Sequence, residues 1–341
     1  MKRGFTQILT HLILISFLAL ASMSSAADDV WIEKANMPTA RSSLATSAVN
    51  GKIYAIGGHT GNGVVGTVEE YDLATDTWAR KANMPTARFR LSTSVVDGVI
   101  YAFGGTLAND KTPLSAVEAY DPATDTWTKK SDMPVKMAAI STSVVDGKIY
   151  VIGGYDKSTG EAYDTVYEYD PVADEFTEKK ERPTPGGSHV AAVVDGKIYA
   201  FGAWDPGKQK AFDTVEEYDP AMDQWTDKGK MATNTGVCVI STVNRKIFII
   251  GGIDLLDNAL SMVDIYDPRT NTWASGSQMP TARMNIWGSE VNGKIYVFGG
   301  LNSIGGAVLS TVEEYTPEGW PFAVSLQGKL PTMWGGIKRG R

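Results

Sequence analysis

Six apolar runs recur along the chain, each opened by a short polar turn and closed by small residues: NGKIYAIGG (50–58), DGVIYAFGG (97–105), DGKIYVIGG (146–154), DGKIYAFGA (195–203), NRKIFIIGG (244–252) and NGKIYVFGG (292–300). Their closing glycines Gly57, Gly104, Gly153, Gly202, Gly251 and Gly299 lie 47, 49, 49, 49 and 48 residues apart. A fixed period of this size marks an array of like supersecondary units, none of which buries its apolar face alone. Apolar side chains at consecutive positions predict strands covered on both faces. The Asn-Gly or Asp-Gly opening predicts a hairpin with the strand before it, such as SLATSAV before Asn50-Gly51.

Each unit continues through a variable loop, a third strand of the TVEEYD type, a turn such as Asp121-Pro122-Ala123-Thr124-Asp125, and a fourth strand opened by an aromatic residue. That aromatic is Trp78, Trp127, Phe176, Trp225 or Trp273, in every case 26 residues before the next closing glycine. Trp31 stands in the same relation to Gly57, so residues 31–37 are a fourth strand without its own first three. The last unit, by contrast, ends soon after Tyr315. Pairing the two ends supplies the missing strand and removes an open sheet edge.

Doublet, Tyr-Asp and Trp at fixed offsets over residues 31 to about 318 resemble the kelch-repeat family. The resemblance implies an all-β six-bladed kelch β-propeller of four-stranded antiparallel blades, closed by the N-terminal strand. Departures from the pattern are Ala203 for glycine, Phe176 for tryptophan, and Thr316 where aspartate would follow Tyr315.

Composition agrees with a folded chain: 43% hydrophobic, 10% aromatic and 21% charged residues exclude a disordered segment or a collagen-like repeat. Lys2 and Arg3, an apolar run from Ile8 to Ala21, and small residues up to Ala26 and Ala27 read as a secretory signal over residues 1–26. The protein is then expected to be exported, to the periplasm, the medium or the cell surface, with no transmembrane segment after signal cleavage. The propeller would occupy 27–318, followed by a short basic tail, 319–341. A formal net charge of -7 argues against a nucleic-acid partner. The single cysteine, Cys238, allows no intrachain disulfide and reads as a small core residue.

Repeated residues build the scaffold, so function is expected where the units differ. Arg41, Arg88 and Arg283 take equivalent positions in neighbouring units, with Arg90 near by. They suggest a cationic sector for an anionic ligand; the alternative is bonding to local carbonyls and carboxylates. The loops after the doublets offer His59, Tyr155, Asp156, Trp204, Asp205 and Asn302. Aromatic rings beside such polar groups suit a carbohydrate. Glutamates recur in the third strands at Glu69, Glu118, Glu168, Glu216 and Glu313, which argues for a structural role.

His59 and His189 fall in different units without metal-ligand spacing, so neither a metal nor a cofactor is implied. The expected function is a binding module recognising a protein or carbohydrate ligand through loops on one face, an anionic ligand being the one that the arginine sector suits. The alternative is an epimerase or mutarotase acting on an acidic sugar such as sialic acid, a group of exported six-bladed kelch proteins that the chain resembles in leader, length and blade count.

Overall fold

The computed structural model describes residues 29–107 and 111–319. The expected signal segment and all but Gly319 of the expected tail lie outside the described residues. Among the described residues the chain forms six four-stranded antiparallel sheets and no helix. Blade 1 consists of the strands Ala45–Val49, Lys52–Ile56, Val68–Asp72 and Thr77–Lys81. Blades 2 to 5 repeat that order, starting at Ser92, Ser141, Val190 and Val239. Blade 6 takes three strands from residues 287–316 and its fourth from Val30–Lys34. The six blades close into a propeller ring, as the sequence predicts.

Closure reuses the chemistry of the repeat. In blades 1 to 4 the tyrosine of the third strand donates its hydroxyl to an aspartate of the following turn, as in Tyr71 to Asp76 and Tyr218 to Asp223 at 2.5 and 2.6 Å. Blade 5 has Asn271 there, 2.6 Å from the Tyr266 hydroxyl. In blade 6 the acceptor is Asp29, 2.6 Å from Tyr315 although 286 residues away in sequence. Trp31 then tilts over the Tyr315 ring at 4.8 Å, as Trp78 does over Tyr71 at 5.0 Å. The N-terminal strand thus brings both turn acid and aromatic to a blade that lacks its own.

Apolar side chains fill the space between neighbouring blades. One cluster joins Tyr54, Ile56 and Val68 of blade 1 to Ile100, Ala102 and Tyr120 of blade 2, and five comparable clusters occupy the other seams. Blades must approach closely for this, and the first doublet glycine permits it. A methyl group on Gly57, Gly104 or Gly153 would come within 2.6 Å of a carbonyl oxygen in the next blade's connection. All three also have φ between +52 and +64°, a conformation that disfavours side chains.

Candidate functional site

Each blade presents two irregular segments at one end of the ring: the connection entering its first strand and the loop after its doublet. These pair with each other in every blade, through Ser42 with His59, Phe89 with Thr106, Ala138 with Tyr155, Gly187 with Trp204, Gly236 with Ile253, and Met284 with Leu301. The two sets of candidate loops therefore share one face. In blades 3 and 4 the loops rise as extended ribbons, a nine-residue strand ending at Asp156 or Asp205 being followed by one of ten residues. Tyr155 and Trp204 ride on these ribbons.

The three candidate arginines are not on that surface. Arg41, Arg88 and Arg283 are fully buried, each ion-paired with a glutamate of its own blade. Arg41 Nη2 lies 2.7 Å from Glu69 Oε2, while Nη1 donates to the carbonyls of Gly57 and Thr67 at 2.9 and 3.0 Å. The threonine two residues earlier donates to the other carboxylate oxygen, Thr39 to Glu69 at 2.6 Å. The recurring PTAR wording is therefore a bolt: threonine and arginine grip one buried carboxylate and tie it to the doublet. Burial lowers each guanidinium's pKa against the pull of its glutamate, yet an arginine stays charged, and its donors are directed inward. The expected cationic sector at these three residues is thus corrected to a structural role.

Blade 4 makes the same bolt from another position. Arg182, four residues before Gly186 and in the place of a methionine elsewhere, reaches Glu216 at 2.6 Å and the Gly202 carbonyl at 2.8 Å. Blades 3 and 5 have none. Glu168, expected to match the paired glutamates, instead accepts from Tyr150 and Lys179, and Tyr167 takes the matching place. In blade 5 that place holds Asp264, whose carboxyl burial pushes above the usual range, and Thr235 stands where the arginine would be. Thr235 makes one hydroxyl bond to Gly251 O, at 3.1 Å.

A second set of ties runs between blades at the loop face. Ser43, Arg90, Ala139, Ser188, Val237 and Asn285 hold equivalent positions around the channel, all with φ between +48 and +56°. Main-chain bonds link Ser43 N to Asn285 O, Arg90 N to Ser43 O, Ala139 N to Arg90 O and Ser188 N to Ala139 O, at 2.8–3.0 Å. Outside this ring, doublet amides bond the next blade's connection, as Gly58 N to Arg88 O at 3.0 Å. Among the described residues both kinds of tie are missing between blades 4 and 5, and the inner tie is missing again between blades 5 and 6.

A cavity of about 470 Å³ opens there, within the ~300–1,000 Å³ of small-molecule sites. Trp204, Asn234, Asn285 and Ser188 line it, with Leu255 and Ile304 on its rim. An adjoining hollow of about 450 Å³ shares Arg90, Lys157, Ser188 and Trp204 and adds Tyr155 and Lys111. Arg90 Nη1 donates to the Tyr155 hydroxyl at 2.7 Å, and the guanidinium stacks 5.7 Å from the Phe89 ring centre. The hollow is therefore lined by basic and aromatic side chains, and the cavity is mostly apolar with amide and charged groups among its lining.

The match to known families is direct. The KLHDC2/KLHL20/DRC7 Kelch-repeats domain matches residues 81–234 and, in an overlapping placement, 130–300, and the Kelch motif matches 40–85 and 289–320. The chain belongs to the kelch-repeat family. The comparison with curated proteins gives no match. Among solved structures, that of YjhT is similar with a TM-score of 0.71 at 18% identity, covering 83% of this chain and 97% of the other. At that identity the likeness concerns the kelch propeller fold.

Of the sequence candidates, the kelch ring brings Tyr155 and Trp204 together, with Arg90 between them. His59 lies in blade 1, where its Nδ1 accepts from Gly61 N at 3.0 Å and its ring meets Phe89. Asp156, Asp205 and Asn302 hold their own loops: Asp156 accepts from Ser158 N, Asp205 from Gly207 N and Lys208 N, and Asn302 from Ala307 N. Short polar side chains at ribbon tips cap the turn before they can serve a ligand. Sequence reasoning missed Ser188, Asn234, Asn285 and Lys157. The first three lie in connections, where a polar residue at one blade's copy of a mostly structural position was the available signal.

Proposed function

We propose that this kelch propeller is a binding module for a carbohydrate bearing an anionic group, held on the loop face over blades 2 to 6. The observation that carries the reading is the convergence of Trp204, Tyr155, Arg90 and Lys157 around two adjoining hollows. An indole face stacks on a sugar ring, amides and hydroxyls bond its substituents, and guanidinium and ammonium groups attract a carboxylate or sulfate. The leader at residues 1–26 supports export, which is where free and surface glycans are met.

Binding is favoured over catalysis by the state of Asp254, one of the two carboxylates, with Asp257, that line the cavity. Asp254 is held low in pKa by Asn258, which bonds both carboxylate oxygens, so it is an ionised loop cap. Epimerisation or mutarotation of the same sugar needs a positioned acid or base near neutrality. The test is ligand NMR with a panel of acidic and neutral sugars. Saturation transfer from the protein to an acidic sugar, lost about tenfold or more in affinity in Trp204→Ala, is the expected result. Faster exchange between anomer signals would convert the module into a mutarotase, and no transfer to any sugar would refute the assignment.

A further inference from the structure

We infer that the ligand is clamped by main-chain groups, its hydroxyls completing the ring of inter-blade hydrogen bonds that the protein leaves open around blade 5. The inference rests on the carbohydrate reading above and names the part of the site that grips the sugar.

The inner ring is continuous from Asn285 through Ser43, Arg90 and Ala139 to Ser188, with each amide donating to the preceding blade's carbonyl at 2.8–3.0 Å. Among the described residues Val237 N does not bond Ser188 O, and Asn285 N does not bond Val237 O. The outer tie shows the same gap: five blades bond a doublet amide to the next connection, whereas Ala203 N and Thr235 O are not joined. Spacing agrees. A methyl group on Gly202 would stand 3.5 Å from Thr235 O, compared with 2.6 Å for the equivalent pairs at Gly57, Gly104 and Gly153. The opening is confined to the loop face, because deeper in the same seam Thr242 Oγ1 donates to Val193 O at 3.0 Å.

Ser188, Val237 and Asn285 all line the large cavity. Two amide donors and two carbonyl acceptors that make no inter-blade tie among the described residues thus belong to residues bordering a space that Trp204 also lines. A sugar hydroxyl both accepts and donates, so one can take Val237 N–H while giving its proton to Ser188 O, and another can do the same between Asn285 N–H and Val237 O. Val237 supplies an independent sign. It is β-branched yet held at φ +48°, a strained conformation that its equivalents Ser43, Asn285 and Arg90 adopt at lower cost, and such strain gathers at binding sites. Among the described residues no main-chain group closes the gap, and a carboxylate alone cannot, because it accepts without donating.

The test is amide hydrogen exchange by NMR on the full-length protein, alone and with glucuronate, glucose or succinate, alongside a Trp204 fluorescence titration. In the free protein Val237 and Asn285 amides should exchange about tenfold or more faster than those of Arg90, Ala139 and Ser188. Glucuronate should slow them about tenfold or more, glucose should do so in proportion to its occupancy, and succinate should leave them unchanged. Equal rates in the free protein would overturn the open ring. Binding of glucuronate, seen by fluorescence, without protection of the two amides would overturn the clamp while leaving the carbohydrate site in place. Protection by succinate would overturn the role of the hydroxyls. Absence of binding by both sugars would remove the carbohydrate assignment and the clamp with it.

Discussion

Blades 3 and 5 both lack the Arg–Glu bolt, and they lack it in opposite ways. Blade 3 has replaced both members by apolar groups, buried Met137 and Tyr167, and keeps every tie to its neighbours. Blade 5 has replaced them by Thr235 and Asp264, both polar, and among the described residues its loop-face ties are missing on one side entirely and on the other in part. A buried ion pair exchanged whole for apolar volume costs little, because its desolvation is removed with it. Exchanged piecemeal, it leaves a carboxyl that still needs partners, here served by Thr233, and no guanidinium to hold connection and doublet together. The cavity lies where the second course was taken.

The sharpest way to break this comparison is to unmake a bolt in blade 2. Arg88→Met alone strands the Glu118 carboxylate in a dry seam and should cost about 3–5 kcal/mol of unfolding free energy in urea titration. Arg88→Met with Glu118→Tyr copies blade 3 and should restore most of that loss. Ala at Arg41, Arg88 and Arg283 together should prevent folding, which separates a bolt from a ligand site. A single variant that folds with unchanged stability would return those arginines to the surface role that their spacing first suggested.

The reverse operation sharpens the comparison at blade 5. Thr235→Arg with Asp264→Glu supplies the pair present in blades 1, 2 and 6 and should draw the blade 5 connection onto its doublet. The expected gain is about 1–3 kcal/mol in stability, with a parallel loss of sugar affinity in the NMR assay. Higher stability with undiminished affinity would show that the cavity does not depend on the missing bolt.

The ring was legible because its signals repeat: doublet spacing, Tyr-Asp and the aromatic 26 residues upstream gave blade number, strand order and the closing role of Trp31. Tyr155 and Trp204 stood out in the sequence because they differ in kind from their counterparts, and the ring places them on one hollow. The arginines misled because spacing reports equivalence and not direction. Inward or outward is decided by whether a carboxylate waits two residues before the third-strand tyrosine, as Glu69 does before Tyr71 and Glu118 before Tyr120. Arg182 escaped notice since it performs the same task from a methionine's place. The gaps in the inner ring involve main-chain atoms, which no residue type announces.

His189 tests the same principle on the seam between blades 3 and 4 with a smaller effect. It occupies the core position held by Leu44, Leu91, Ile140 and Ile286 elsewhere, is 4% exposed, and neither ring nitrogen has a partner among the described residues. Burial, then the nearby Arg182 charge, holds its pKa well below the ordinary value, so the folded protein carries it neutral. An unfolded chain takes up that proton below about pH 6.5, and folding must then expel it. Stability should therefore be complete above that pH and fall by about 1.4 kcal/mol per unit as pH drops below it, as far as the folded-state pKa. His189→Leu gives the seam the side chain its neighbours use. It should add about 1–2 kcal/mol at neutral pH and remove that part of the acid slope, read from urea titrations between pH 5 and 8. An unchanged slope would mean that the imidazole is already charged in the folded ring, and a buried partner for it would have to be sought beside Arg182.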